Sequence, residues 1–193
     1  MHSKQLMFEH ADQVHLIRVI SADACAQLVA RAEALNVWED SPCYSESAEG
    51  FVVDFEYRIS RSVMEWDRPD LFDGVRPHVE KTFARFIGPD ASPRFALSRF
   101  ELIRYDAGGM FFPHRDTLVT EPWRKYSIVT YLNDDFEGGA TSFPTIERTL
   151  RPVPGQGLLF PSLYLHGGEC VSAGRKYVMT GYLGDPETIP AWF

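Results

Sequence analysis

The sequence predicts an α+β protein in which two amphipathic helices come first and a run of antiparallel strands follows. Three observations carry this. Apolar residues recur at helical spacing twice in the first half, from Ser21 to Leu35 and from Asp73 to Ile87. From Phe95 onward the pattern changes to short apolar runs broken by turn residues, as strands require. No linker, internal repeat or low-complexity tract divides the 193 residues, so one domain over 1–193 is expected, with helical support over 15–90 and a strand-rich core over 95–185.

In the first helix Ser21 or Asp23 can cap the N-terminus, and Cys25, Leu28, Val29, Ala32 and Leu35 form the apolar stripe. The polar, acidic stretch Glu39–Gly50, with Pro42 inside it, reads as a long mobile loop. In the second helix Val75, Val79, Phe83 and Phe86 share a face. Pro77 fits there because it falls in the first turn, and Gly88-Pro89 stops the helix. Strands are expected over Phe95–Tyr105, Ser127–Leu132, Ala140–Phe143, Thr149–Pro152, Gly157–Phe160, His166–Val171 and Lys176–Leu183. Turn residues such as Asp106–Gly109, Asn133–Asp135 and Pro154-Gly155 separate them. Short strands at this spacing imply a sandwich or barrel with the helices packed outside.

Composition narrows the function. Nineteen Lys and Arg against 27 Asp and Glu give a net charge of -8, which disfavours nucleic acid as a partner because no basic stripe can displace phosphate counterions. No apolar run reaches membrane-spanning length and no signal-peptide pattern opens the chain, so neither a membrane nor secretion is expected. Cys25, Cys43 and Cys170 are odd in number and far apart, which fits a reducing, cytoplasmic setting.

The chemistry concentrates after Tyr105, in Y-D-A-G-G-M-F-F-P-H-R-D. His114 and Asp116 are two apart, so on extended backbone their side chains share a face and can grip one metal ion. His166, in L-H-G-G, offers a third ligand. Two imidazoles and a carboxylate make the facial triad of non-haem Fe(II), which leaves coordination positions open. A zinc hydrolase could use the same three residue types with a metal-bound water. A metal-binding barrel without catalysis is a further alternative.

An ordered series surrounds these residues: Tyr105–Asp116, Tyr131-Leu-Asn133, Gly138–Pro144, Pro154–Phe160, His166-Gly-Gly168 and Lys176. With these motifs the chain resembles the prolyl 4-hydroxylase-like branch of the Fe(II)/2-oxoglutarate-dependent dioxygenases. Val19–Cys25 and Arg58-Ile-Ser60 resemble that family's opening helix and an R-x-S segment, less specifically. The resemblance implies a double-stranded β-helix, or jelly-roll, with His114, Asp116 and His166 as metal ligands and Fe(II), 2-oxoglutarate and O2 as cofactor and cosubstrates, with ascorbate as a reductant. It implies Lys176 as the partner of the distal carboxylate of 2-oxoglutarate, with Tyr105, Tyr131 and Thr180 as further cosubstrate contacts. Arg175, its neighbour, is sent to the other face by strand alternation. Arg124 matches a basic position before the Y-L-N strand, where a salt-bridge role is equally open. Asp116 itself disfavours halogenation, since halogenating relatives replace this carboxylate with a small residue.

The reaction implied is hydroxylation of an aliphatic C–H bond with release of succinate and CO2, with no catalytic residue beyond the metal triad. A compact, amino-acid-like substrate is the first expectation, because no added peptide-binding region is evident; a peptidyl prolyl substrate is the alternative. The acidic segment Trp38–Phe55 is a candidate lid, with Trp66 and Thr117–Trp123 further along the rim, and its carboxylates would favour a positively charged substrate. Ile189–Phe193 could cover a barrel edge or pair two protomers.

Overall fold

The computed structural model describes residues 14–45, 47–87, 95–117 and 123–189. The Gly88-Pro89 stop and most of Thr117–Trp123 and Ile189–Phe193 lie outside them. Two sheets face each other. The larger runs, edge to edge, through His15–Arg18, Gln156–Pro161, Arg124–Tyr131, Lys176–Gly184, Glu101–Tyr105, Arg61–Met64 and Glu39–Asp40, with Ala96–Leu97 added beside Lys176–Gly184. The smaller runs through Arg148–Leu150, Thr141–Phe143, His166–Gly168, Met110–His114 and Arg58–Ile59. The reported strand pairs are antiparallel, and the arrangement is the jelly-roll expected, an α+β fold with a double-stranded β-helix core.

Two apolar clusters hold it together. Ile103, Val129, Phe143, Leu158, Phe160 and Val178 fill the space between the sheets. On the outer face of the larger sheet, Cys25, Leu28 and Ala32 of the helix Ala22–Leu35 and Val79 and Phe83 of the helix Arg76–Ile87 pack against Leu102, Ile128 and Met179. Ser21 caps the first helix, accepting a hydrogen bond from the Ala24 N–H (3.1 Å), and Asn36 ends it in the left-handed region. The second starts three residues later than expected: Pro69–Phe72 forms its own turn, and the longer helix begins at Arg76. Arg76 is held there by buried Glu65, at 2.5 Å from Nε to Oε1, and by the Ser98 carbonyl at 2.7 Å.

The stretch Glu39–Gly50 is not simply a loop. Cys43–Ser45 pairs with Gly50–Val52 in a hairpin, and Tyr44 and Phe51 meet edge to face across it with ring centroids 5.7 Å apart. Its turn chemistry is polar, which masks the short alternating arms on either side. Other differences follow from twist and turns. Phe95–Tyr105 breaks at Ser98–Phe100, and His166–Val171 divides into His166–Gly168 and Val171–Gly174. Val171–Gly174 leaves the smaller sheet to pair with Phe136–Gly138. No described helix is long and apolar enough to cross a membrane.

Candidate active site

His114 ends the Met110–His114 strand and His166 begins the strand paired with it, in direct register. Their rings therefore lie side by side, with centroids 4.4 Å apart. Asp116 is two residues past the strand end, where its N–H donates to the Ser162 carbonyl (3.0 Å). This turns its carboxylate between the two rings, with Oδ1 3.4 Å from Nε2 of His114 and Oδ2 3.4 Å from Nε2 of His166. The three ligand atoms all lie within 4.8 Å of one another and could hold a metal ion.

The protonation states suit that role. Nδ1–H of His114 donates to the Phe112 carbonyl (2.8 Å), and Nδ1–H of His166 donates to the Tyr164 carbonyl (3.0 Å). Each ring then presents the Nε2 lone pair to the site, as a metal ligand must. Burial pushes the His166 imidazole down to about 4, with Asp116 opposing and His114 adding, so it is neutral at neutral pH. Burial alone would raise the Asp116 carboxyl. The adjacent His166 and His114 rings outweigh it and hold Asp116 well below the usual carboxylate range. A divalent cation fits a donor set of two imidazoles and one carboxylate, the carboxylate 11% exposed.

A cleft of about 1280 Å³ opens beside the triad. At one end lies Lys176, 2% exposed, whose Nζ donates to the Gly139 carbonyl (2.7 Å) and sits 4.6 Å from the Tyr131 ring centroid and 5.2 Å from that of Tyr105. It makes no salt bridge among the described residues. Burial therefore pulls its ammonium down to about 7, Arg151 adding and Glu169 opposing. A buried cation with no carboxylate paired to it is the electrostatic requirement for an anionic ligand. Lys176 and a carboxylate end of 2-oxoglutarate fit each other on this ground.

The two glycines before this site have a steric reason. Gly138 and Gly139 take φ of 69° and 62°, and a Cβ on Gly139 would stand 3.2 Å from Cδ of Lys176. Only glycine lets the lysine stem pass.

The structure brings Tyr105, Lys176 and Thr180 to the cleft wall, but not Tyr131. Tyr131 is fully buried, and its hydroxyl is engaged with Thr141 (2.8 Å) and the Gly139 carbonyl (3.2 Å). Thr141 lines the cleft in its place, and the G-G-x-T motif was the available signal. Arg175 points to the opposite face of its strand, where it bonds Asp106 (2.6 Å) and Glu33 (3.2 Å). Arg124 is buried, with Nη1 donating to the Asp116 carbonyl (3.1 Å) and its guanidinium 4.1 Å above the Tyr182 ring.

A pair inside the cleft was missed. Arg58 donates to Glu101 (2.8 Å), Ser60 (2.9 Å) and the Pro42 carbonyl (2.9 Å), which gives the R-x-S segment its physical meaning. From Trp38–Phe55 the cleft receives Pro42, Cys43, Tyr44 and Phe51, and none of the carboxylates Glu39, Asp40 and Glu49. Asp40 faces Arg61 at 3.4 Å instead. Glu46, in the same segment, lies outside the described residues.

Comparison with known proteins adds three findings. Residues 100–184 match the family model of the 2OG-Fe(II) oxygenase superfamily. A curated relative, probable prolyl 4-hydroxylase 9 of Arabidopsis thaliana, is 28% identical over 59% of this chain and 49% of its own. The chain thus spans about half the length of that relative. In fold, the chain is similar to a prolyl hydroxylase of Trichoplax adhaerens solved with a hypoxia inducible factor peptide fragment (TM-score 0.75, 14% identity, 96% of this chain and 89% of that one). It is also similar to the viral collagen prolyl hydroxylase of Paramecium Bursaria Chlorella virus-1 solved with 2OG (TM-score 0.66, 18% identity, 88% and 94%).

Proposed function

We propose that this chain, whose residues 100–184 match the family model of the 2OG-Fe(II) oxygenase superfamily, uses Fe(II), 2-oxoglutarate and O2 as a hydroxylase acting on an aliphatic C–H bond of a peptidyl substrate, with a prolyl residue as the first choice. The observation that carries the peptidyl reading is the cleft. At about 1280 Å³ it has to seat the metal and 2-oxoglutarate as well as the substrate. Its wall beyond the triad includes exposed aromatic surface at Phe51 and Trp66. A free amino acid would leave most of that surface wet. An extended chain would cover it.

In this reading His114, Asp116 and His166 hold the metal, and Lys176 receives the distal carboxylate of 2-oxoglutarate, with Tyr105 and Thr141 beside it. When bound, iron with its two cosubstrates supplies the oxidising chemistry, placing one oxygen on the substrate and the other in succinate as CO2 leaves. The protein's residues do not exchange protons with substrate. Phe143 and Phe160 pack against His166, at 6.1 and 4.6 Å between centroids, and exclude water behind it. Arg124 fixes the Asp116 backbone, and Arg58–Glu101 stiffens the floor. The domain reading, one unit over 1–193, belongs to the same proposal.

Two measurements test this. An anaerobic titration with Fe(II) and 2-oxoglutarate should develop the visible charge-transfer band of their chelate in the wild type, not in Asp116→Ala, and more weakly in Lys176→Ala. Turnover with proline-containing peptides should release succinate and add one oxygen atom to the peptide mass. Iron binding without the band overturns the cofactor roles. Turnover of free proline with none of any peptide overturns the peptidyl reading.

A further inference from the structure

We propose that the end of the cleft remote from Lys176 binds an anionic group of the substrate through Arg99, so that the preferred peptide carries an acidic residue flanking the reacting one. The inference rests on the peptidyl reading above.

Two rows of alternate residues form the cleft floor. Lys176, Val178, Thr180 and Tyr182 line it from one strand. Tyr105, Ile103, Glu101 and Arg99 line it from the neighbouring segment. The register aligns Lys176 with Tyr105, Val178 with Ile103 and Thr180 with Glu101. Past the strand end, the Ser98 N–H donates to the Tyr182 carbonyl and the Tyr182 N–H to Ser98 Oγ, both at 2.9 Å, so Arg99 stays alongside Tyr182. Six residues of strand separate Lys176 from Tyr182, about 20 Å at the usual rise. The cleft therefore has a cation at each end. Arg124, 4.1 Å above the Tyr182 ring, donates to the Asp116 carbonyl, which ties the triad to the Tyr182 end of the floor.

The charge balance of the cleft runs against that of the chain. Net charge is -8, yet the lining carries Arg58, Arg99, Arg115, Arg124 and Lys176 against only Glu101 and Asp116. Glu101 is engaged by Arg58 at 2.8 Å, and Asp116 belongs to the triad. Lys176 serves the cosubstrate. At the far end, Arg124 is buried with its guanidinium over Tyr182. Arg99 makes no ion pair among the described residues, and beside it the wall is apolar at Met64 and Trp66, the latter 45% exposed. Low-dielectric walls around fixed cations focus a positive field into the space where substrate must lie. A carboxylate there meets the Arg99 guanidinium, while the described acids of the lining, Glu101 and Asp116, are already engaged; an ammonium is repelled.

The test loads the protein with Mn(II) and an unreactive oxalyl analogue of 2-oxoglutarate, then measures binding of three labelled peptides by anisotropy. Each has one central proline, flanked by glutamates, glutamines or lysines. The glutamate peptide should bind about tenfold more tightly than the glutamine one at low salt, with the gap closing at high salt. Arg99→Glu should invert the order in favour of lysine, and Arg99→Gln should level it. Equal binding of glutamate and glutamine peptides overturns the inference and leaves the peptidyl reading standing, as does an unchanged preference in Arg99→Glu. If no peptide of any charge binds to the loaded protein, the peptidyl reading falls and takes the inference with it.

Discussion

The Asn133 carboxamide bonds the two peptide groups that flank Lys176. Its Nδ2 donates to the Arg175 carbonyl (2.6 Å), and its Oδ1 accepts from the Tyr177 N–H (2.7 Å). On that edge the backbone ladder has run out, the last register pair being Tyr131 with Val178. The other edge of Lys176 is paired with Tyr105. Asn133 thus stands in for the strand residue that is missing, and the third residue of Y-L-N acquires a positioning role.

Asn133→Asp keeps the size and the acceptor but removes the donor to Arg175. It also sets a second carboxylate against Asp135, to which Nδ2 now donates at 2.6 Å. The expected outcome is a loss of about tenfold in 2-oxoglutarate affinity, the scale of one unsatisfied partner, with Mn(II) affinity unchanged. Equal losses of both affinities in the titrations would mean general unfolding instead.

Lys176 titrates near 7 without its anion. Its folded value lies below the unfolded value of 10.5, so between these limits the unfolded chain binds more protons. Stability of the cosubstrate-free protein therefore rises with pH across that window, and the full cost is present below it. Binding a carboxylate holds the ammonium charged, so at pH 8 it takes up a proton. Calorimetry in buffers of different ionisation heat should show that uptake, and affinity should fall by up to about tenfold per pH unit above 7. Binding heats at pH 8 that do not depend on the buffer would remove Lys176 as the partner.

Gly139→Ala places a methyl 3.0 Å from Phe136 and Val171 and 3.2 Å from the Lys176 stem, at a φ of 62°. The backbone conformation alone costs about 1–2 kcal/mol. Thermal unfolding should move down by about 2–4 °C for each kcal/mol lost. Cosubstrate affinity should fall as well, because the lysine must shift to clear the methyl.

Glu65 is 4% exposed at its side chain and is gripped by Arg76 through both oxygens, with the Phe100 N–H donating to Oε2 at 2.9 Å. Glu65→Ala leaves that N–H without its acceptor and the partly buried Arg76 guanidinium with only the Ser98 carbonyl and Glu80, and should cost about 2–4 kcal/mol in urea unfolding. The site lies elsewhere, so folded variant should retain wild-type Mn(II) affinity.

Much was legible because it is local. The Ser21 cap, the stripe from Cys25 to Ala32 and the H-x-D pair depend on residues within a turn or two of each other. The hairpin around Tyr44 and Phe51 was hidden by its polar surroundings, since short arms carry little periodic signal. Arg58–Glu101 and Tyr131–Thr141 were hidden for another reason: each pair needs the register between separate strands.

The sequence by itself determined the two helices, the strand-rich second half and the identity of the three metal-ligating candidates, but not the short strands around the first helix, His15–Arg18 and those within 39–64. Tertiary structure alone decided which tyrosine reaches the cleft, which acids stay out of it, and that cations stand at both its ends. Side-chain alternation is written into each strand, but what faces what is set by how strands distant in sequence pair and by how the two sheets twist around their shared core.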